Sequence, residues 1–290
     1  GLDASVETYD RHRLSTQRWM LGRFVCPLGK VDALAERIGN REPFELSLIL
    51  PPSEDSRAFL ENLGVAFEAQ RRHEGKIVIG AFEAVFPQGI INLDDARGFL
   101  EEVRGELRRY GGLGENTPFS WEVPLTVDSQ GALELLAAAI SAFDGGRANS
   151  LKLRCGGASS GAFPSTAMVV AAIRACRNQS VPFKATAGLH HPLPREDEAL
   201  GVRMHGFWNL FGAAILANAG SFDESTLGEL IDDADPSSFA FDVERFAWRD
   251  FTVTTEEIRV LRKTRAWSFG SCSFDEPCED LLALGHELVE

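Results

Sequence analysis

Strand-like and helix-like segments alternate along nearly the whole chain, and this alternation limits the possible folds more than any other feature of the sequence. Short apolar runs are each followed by a longer stretch in which apolar residues recur at helical spacing. The predicted strands lie at 23–27, 45–50, 76–86, 119–125, 150–155, 182–188, 239–243 and 267–272, and the predicted helices at 30–38, 55–69, 94–109, 130–143, 166–178, 204–218 and 276–288. Such repeats are typical of a parallel sheet with crossover helices.

Eight such units would close into a barrel. We therefore predict an α/β fold, a (β/α)8 TIM-like barrel, as a single domain over residues 19–290 after a polar N-terminal arm at 1–18. The length of 290 residues fits, because α/β barrels routinely use ~250 residues as one domain. The seventh strand, at 239–243, has the weakest pattern. The alternative is an open doubly wound sheet, although no Gly-x-Gly-x-x-Gly motif follows the first strand.

Charge and cysteine content bear on partners and location. The formal net charge is −14, so the surface would repel phosphate backbones and anionic lipid. We predict a small-molecule substrate and no nucleic-acid or membrane partner; a homo-oligomer is compatible with these features. The five cysteines form no Cys-x-x-Cys pair, and the sequence has neither a signal-peptide pattern nor an apolar run of about 18 residues. These features predict a soluble, cytoplasmic protein with free thiols.

Charged residues interrupt four consecutive predicted strands, at positions where a core built only for stability would use Val, Ile and Leu. Alternate residues of a barrel strand face the helices or the interior, and the more apolar set faces the helices. By this alternation, the charged side chains that point inward are Glu83, Glu122, Lys152, Arg154 and Lys184. Such groups must pair or lie near water, since burying an unpaired charge is costly. The pattern favours a functional site over a structural layer of salt bridges.

The ends of the fifth and sixth predicted strands carry further candidate binding residues. The first ends in Cys-Gly-Gly, and the second continues through Thr-Ala-Gly-Leu to two histidines. Active sites of barrels lie at the carboxyl ends of the strands, and glycines let backbone amides approach a ligand closely. Ser165 is placed to cap the helix that follows the fifth strand. The residues to which we assign substrate binding are Glu83, Thr186, Gly156, Gly157, His190, His191 and Ser271.

The segment 268–277 follows the last predicted strand, where loops of barrels often bind phosphate. Gly270, Ser271 and Ser273 have suitably small, donor-rich chemistry. Asp275 and Glu276 would repel an anion and would instead suit the start of the last helix. Both interpretations of the segment stay open. Cys155 and Cys272 also lie at this end of the predicted barrel, but spacing fixes no histidine partner, so a thiol nucleophile is only a minor alternative.

Two lysines about thirty positions apart occur on neighbouring predicted strands, the first in a Lys-x-x-x-Gly-Gly context and the second in Lys-Ala-x-x-Gly. Over residues 150–190 this resembles the deoxyribose-phosphate aldolase type of class I aldolase. The resemblance implies a lyase acting on a small carbonyl metabolite without a cofactor. It implies that Lys152 forms a Schiff base with the substrate and that Lys184 lowers the pKa of that amine. Arg154 would add positive charge, and Glu122 or Glu83 would move protons.

The sequence departs from that family in two respects. The acidic partner of the family has no secure counterpart, and Glu122 is the candidate for it; the Leu-His-His-Pro sequence is foreign to the family. As a whole, the chain resembles uncharacterised bacterial proteins that carry the segment Lys-Ala-Thr-Ala-Gly-Leu-His-His-Pro.

Two other classes of function stay open. A metal-dependent barrel enzyme would bind a divalent metal through His191, Glu83 and Glu122, although the sequence has no His-Glu-x-x-His motif. For His205, a backbone hydrogen bond is favoured over a role as a ligand. The third class is a non-catalytic metabolite-binding protein.

Overall fold

A computed structural model describes residues 1–87, 89–110, 117–124, 129–144 and 149–288 of the chain. These residues form a mixed α/β structure in which parallel strands alternate with helices, as the sequence predicts. The chain divides into two compact units, Gly1–Trp121 and Glu122–Glu287. Within the described ranges, none of the helices has the combination of length and apolar character that crossing a bilayer requires.

The first unit follows the predicted alternation closely. Its elements are α1 (Leu2–Arg13), β1 (Phe24–Pro27), α2 (Val31–Ile38), β2 (Phe44–Ile49), α3 (Ser56–Arg72), β3 (Ile77–Val85) and α4 (Leu93–Arg109), and β4 (Phe119–Glu122) ends at the first residue of the second unit. β1 pairs in parallel with β2, and β2 with β3. The predicted N-terminal arm contains α1. Of the predicted fourth strand, Leu125 lies outside the described residues.

Local sequence signals explain where the long helices of this unit begin. The Asp55 side chain accepts a hydrogen bond from the Ala58 amide at the start of α3, and Asn92 does the same for Asp95 at the start of α4. Such caps satisfy amides that lack a partner within the helix. Aromatic side chains fill the core between helices and strands; the Phe119 and Trp121 rings stack with their centroids 4.7 Å apart. Aromatic rings contribute large apolar areas to a core.

The second unit combines parallel strands with two small antiparallel additions. Its elements are α5 (Ser129–Asp144), β5 (Asn149–Arg154), α6 (Thr166–Gln179), β6 (Phe183–Thr186), β7 (Arg195–Asp197), β8 (Val202–Met204), α7 (Phe207–Ala219), α8 (Glu224–Asp232), β9 (Phe239–Phe241), β10 (Arg245–Trp248), β11 (Phe251–Thr254), α9 (Thr255–Thr264), β12 (Ala266–Gly270) and α10 (Asp275–Ala283). β6 pairs in parallel with β5 on one side and with β12 on the other. Ser165 caps α6 by accepting from the Met168 amide, which confirms the prediction.

The predicted seventh strand takes a different partner from the one a barrel needs. A strand does form at Phe239–Phe241, but it pairs antiparallel with β10, which pairs antiparallel with β11. The described residues therefore contain seven parallel strands, β1 to β6 and β12, where a (β/α)8 barrel needs eight. The last helix ends at Ala283, not at residue 288.

Candidate functional site

Lys152 and Glu122 form a buried ion pair in the second unit. The Lys152 Nζ atom lies 2.9 Å from the Glu122 Oε2 atom, and the lysine side chain is only 4% exposed. Both residues occupy strands, where the backbone fixes the direction of the side chain. Removing two charges from water is expensive, so a pair in such a position stabilises the fold weakly at best. The pair is therefore a candidate functional group of this unit.

Lys184 lies beside this pair. Lys152 on β5 and Lys184 on β6 are register partners in the parallel ladder, and Lys184 is 8% exposed. Neighbouring strands are roughly 4.8 Å apart, so the two lysines enter the same region of the unit. The alternation pattern predicted both side chains as inward, and the structure places the two lysines opposite each other, with Glu122 in contact with Lys152.

Arg154 occupies the same strand as Lys152 but differs in burial. It is the last residue of β5 and is exposed, and its Nε atom donates to the Gly156 carbonyl oxygen at 2.9 Å. The guanidinium lies over Gly157, where a methyl group in place of the α-hydrogen would be 3.6 Å from the Arg154 Nη2 atom. Arg154 thus marks the solvent-facing end of the strand.

Glu83 belongs to the first unit. It is buried, and its Oε1 atom accepts a hydrogen bond of 2.7 Å from the Ser47 hydroxyl on the neighbouring strand β2. A buried carboxylate requires such donors, because an unpaired charge in the interior is costly. The predicted substrate-binding role of Glu83 stays a prediction.

The ends of β5 and β6 approach each other so closely that glycine is required on both. A Cβ atom at Gly156 would lie 2.7 Å from the Gly188 Cα atom. Gly188 has φ +67°, and Ala187 before it has φ 60°, an uncommon conformation for a residue with a side chain. Thr186 packs against β12, since its Oγ1 atom would lie 2.9 Å from a Cβ atom at Gly270. The turn that follows β6 is thereby fixed, and it carries the two histidines.

Both histidines bind carboxylates of the last helix. His190 Nδ1 lies 2.7 Å from Glu276 Oε2, and His191 Nδ1 lies 2.5 Å from Asp280 Oδ2. The two acids lie four residues apart on α10, so they project from the same face of that helix. The Arg195 Nη1 atom also lies 3.3 Å from His191 Nε2. Sequence reasoning missed both acids as partners.

The other nitrogen of His190 faces a thiol. The Cys272 Sγ atom lies 3.6 Å from His190 Nε2, and Cys272 is exposed. Burial and the negative charge of Glu276 hold the pKa of the Cys272 thiol above its ordinary value. Cys155 differs: it is fully enclosed, and burial raises its pKa to about 12, which makes it unsuited to nucleophilic chemistry.

The loop before α10 uses its hydroxyl groups internally. The Ser271 Oγ atom accepts from the Ser273 amide at 3.3 Å, and the Ser273 Oγ atom accepts from the Glu276 amide at 3.1 Å. Asp275 and Glu276 occupy the first turn of α10, as the helix-start interpretation of this segment requires. The hydroxyl of Ser271 therefore organises the loop.

The alternative metal ligands all have other partners. Glu122 pairs with Lys152, Glu83 with Ser47 and His191 with Asp280. His205 is buried, and its Nε2 atom lies 2.8 Å from the Pro164 carbonyl oxygen, which is the backbone bond that the sequence favours. The described part of the chain contains no group of three or more histidine, cysteine, aspartate or glutamate side chains arranged to hold a metal ion.

Comparison of the chain with models of protein families and with curated proteins found no match. The fold and the site define the class of this protein. It is an α/β protein with a buried lysine–glutamate pair beside a second lysine, and with two histidine–carboxylate pairs after β6.

Proposed function

We propose that this protein is a lyase that acts on a small carbonyl metabolite through an imine on Lys152. One observation supports this most directly: the Lys152 amine lies 2.9 Å from the Glu122 carboxylate, in a buried position beside Lys184. An imine-forming lysine has to be neutral when it attacks. Transfer of one proton from Nζ to Oε2 across this contact would supply both a neutral amine and a carboxylic acid.

The reaction would use both products of that transfer. The amine adds to the substrate carbonyl carbon, and the Glu122 carboxylic acid protonates the departing hydroxyl group, which leaves as water. The resulting iminium accepts the electron pair of the breaking carbon–carbon bond as an enamine, while the Glu122 carboxylate takes the proton of the substrate's β-hydroxyl group and that fragment leaves as the first carbonyl product. Protonation of the enamine carbon and addition of water then release the second product and restore the amine. No cofactor is needed, because the lysine nitrogen provides the electron sink.

Lys184 would favour this chemistry by its charge. Two ammonium groups on adjacent strands repel each other, so the presence of one favours the neutral form of the other. The resemblance to class I aldolases gives the same two roles to the two lysines. Arg154, exposed at the strand end, would bind an anionic substituent of the substrate.

Borohydride trapping tests the proposal. The protein is incubated with small aldehydes, ketones and 2-keto acids, reduced, and measured by intact mass and peptide mapping. We expect a stable adduct on Lys152 that is lost in Lys152→Met. Lys263→Met, which removes an exposed lysine of the same unit, should leave the adduct unchanged.

Two results would decide against an imine on Lys152. One is an adduct that persists in Lys152→Met on another lysine; the other is the absence of any adduct across the panel. The second result would favour the non-catalytic metabolite-binding alternative, and elemental analysis of the purified protein would then test the metal alternative.

We further propose that the parallel strands and their helices form a (β/α)-barrel, and that the protein is cytoplasmic. Support for the barrel comes from the order of strands and following helices within each unit. Support for the location comes from the five cysteines, all of which are free. An experimental structure and cell fractionation would test the two statements.

A further inference from the structure

A second group of reactive side chains in the second unit does not include the two lysines. It forms a row of successive contacts from Cys272 to His190 to Glu276. The Cys272 Sγ atom is 3.6 Å from His190 Nε2, and His190 Nδ1 is 2.7 Å from Glu276 Oε2. Because a carboxylate only accepts hydrogen bonds, Nδ1 carries the proton in the neutral ring. Nε2 is then left with its lone pair directed at the thiol.

The fold builds this row from three separate segments. β6 and β12 are adjacent and parallel, with Thr186 opposite Gly270. Cys272 follows Gly270 by two residues, and His190 follows Thr186 by four, through the turn with positive φ at Ala187 and Gly188. Both side chains therefore emerge beyond the carboxyl ends of neighbouring strands, which is the usual location of active sites in parallel α/β proteins.

We infer that Cys272, His190 and Glu276 form a second reactive site, in which the thiol accepts an acyl group from an uncharged ester or thioester. The inference does not depend on the imine at Lys152. Its basis is the order nucleophile, base and orienting carboxylate, each within hydrogen-bond reach of the next. Cys272 is exposed, so a substrate can reach the sulfur.

The chemical step is a balanced acyl transfer. His190 Nε2 takes the proton of the thiol while sulfur attacks the acyl carbon. The tetrahedral intermediate collapses, and the protonated His190 returns that proton to the departing alcohol or thiol. The product is a thioester on Cys272. Water, deprotonated by His190, then attacks this thioester, so that a carboxylic acid and the free thiol are released.

The local charge favours an uncharged substrate. The first turns of α10 carry four acids around the thiol and its partners: Asp275, Glu276, Glu279 and Asp280. Arg195 contributes a positive charge beside His191. The surrounding field is thus negative, and an anionic acyl donor would be repelled.

Acetylation by p-nitrophenyl acetate tests the inference. Release of nitrophenol is followed in a single turnover, and the modified residue is located by peptide mapping. Cys278 is a control within the same protein: it is a free, partly exposed thiol on α10 and has no histidine contact among the described residues. We expect Cys272 to be acetylated at least ~100-fold faster than Cys278, as removal of a general base typically costs 10²–10⁴-fold.

Variants separate chemistry from structure. Cys272→Ser should abolish the acetylation, and His190→Gln should slow it to the rate of Cys278, while Lys263→Met, at an exposed position of the same unit, should leave it unchanged. Equal rates for Cys272 and Cys278 in the unmodified protein would overturn the inference without any variant. An unchanged Cys272 rate in a folded His190→Gln protein would do the same.

Glu276 is a positioning residue, and its test needs two readouts. Glu276→Gln removes a negative charge beside the thiol, so the pKa of Cys272 should fall and alkylation by iodoacetamide at neutral pH should accelerate. Acetylation should slow, because His190 loses the carboxylate that orients it. Changes of both rates in the same direction would contradict the positioning role.

Two thioesters that differ in charge test the preference of Cys272 for an uncharged acyl donor. S-acetyl-N-acetylcysteamine and acetyl coenzyme A carry the same thioester, but only the second is anionic. Faster acetylation of Cys272 by the neutral thioester supports the assigned substrate class. Faster acetylation by acetyl coenzyme A would overturn it.

Discussion

Lys152 on β5 lies directly opposite Lys184 on β6 in a parallel ladder, and both lysines are buried. Charged residues on adjacent strands are destabilising when they have the same sign, because their repulsion is not screened by water. The Glu122 carboxylate, 2.9 Å from Lys152, offsets part of that repulsion. The three side chains therefore form an electrostatic unit whose energetic coupling can be measured.

The first prediction concerns that coupling. Lys152→Met and Glu122→Leu should each lower the free energy of unfolding by about 3–5 kcal/mol, because each removes the opposite charge from beside a buried one. The double variant should lose much less than the sum of the two, since it removes both charges. Urea unfolding of the four proteins measures the difference.

The exposed pair of Arg57 and Glu61 on α3 is the control for this cycle. Its atoms are 3.0 Å apart, but the side chains are 88% and 65% exposed. A cycle on that pair should give a coupling of only about 0.3–0.5 kcal/mol. Additive losses at Lys152 and Glu122 would show that the buried pair is not coupled.

The second prediction concerns the close approach of β5 and β6. Gly188→Ala should destabilise the protein by roughly 2–5 kcal/mol, because φ is +67° and the new methyl group would meet the Cys155 carbonyl group and the Gly156 Cα atom. Gly161→Ala is the matched control, since no atom lies within 4 Å of a Cβ at that position. Thermal unfolding of both variants makes the comparison. Similar melting temperatures would refute the steric argument.

The third prediction concerns Glu83. Ser47→Ala removes the hydroxyl that donates to this buried carboxylate at 2.7 Å, and it should cost roughly 1.5–3 kcal/mol of unfolding free energy. Ser5→Ala, at an exposed position in α1, should change stability by less than about 0.5 kcal/mol. Denaturant unfolding distinguishes the two. A loss at Ser47 as small as that at Ser5 would mean that other donors satisfy Glu83.

Sequence patterns predicted the strand faces well, because the period of two along a strand fixes which side chains share a face. Lys152, Lys184 and Glu122 were found in this way. The same period does not indicate how deeply a side chain is buried. Arg154 lies on the same face as Lys152, but it is the last residue of the strand and is exposed to solvent. Alternation thus predicts direction and cannot predict burial at a strand end.

No local sequence pattern predicts the contacts between segments that lie far apart along the chain. His190 and Glu276 are 86 positions apart, and only the packing of α10 against the turn after β6 brings them together. The helix α9 was missed although its capping box, Thr254 with Glu257, was readable in the sequence. The predicted strand at 239–243 formed, but strand propensity alone does not choose between a parallel and an antiparallel partner.

The last prediction concerns pH and His205. Burial lowers the pKa of this histidine below its ordinary 6.5, while its Nε2–H donates to the Pro164 carbonyl oxygen. The unfolded chain therefore takes up the proton first as the pH falls. The stability that comes from a neutral His205 is complete above pH 6.5 and is lost as the pH falls from 6.5 through the lower pKa of the folded state. Within that window the slope due to this one group should approach about 1.4 kcal/mol per pH unit.

His205→Asn isolates this contribution from that of every other titrating group. Asparagine has an amide donor for the same carbonyl oxygen and does not titrate. The difference in unfolding free energy between the two proteins, measured by urea at a series of pH values, should be constant above pH 6.5 and should shift in favour of the variant below it. A difference that is independent of pH would mean that His205 titrates alike in the folded and unfolded chains, and the buried, neutral ring would then be the wrong description.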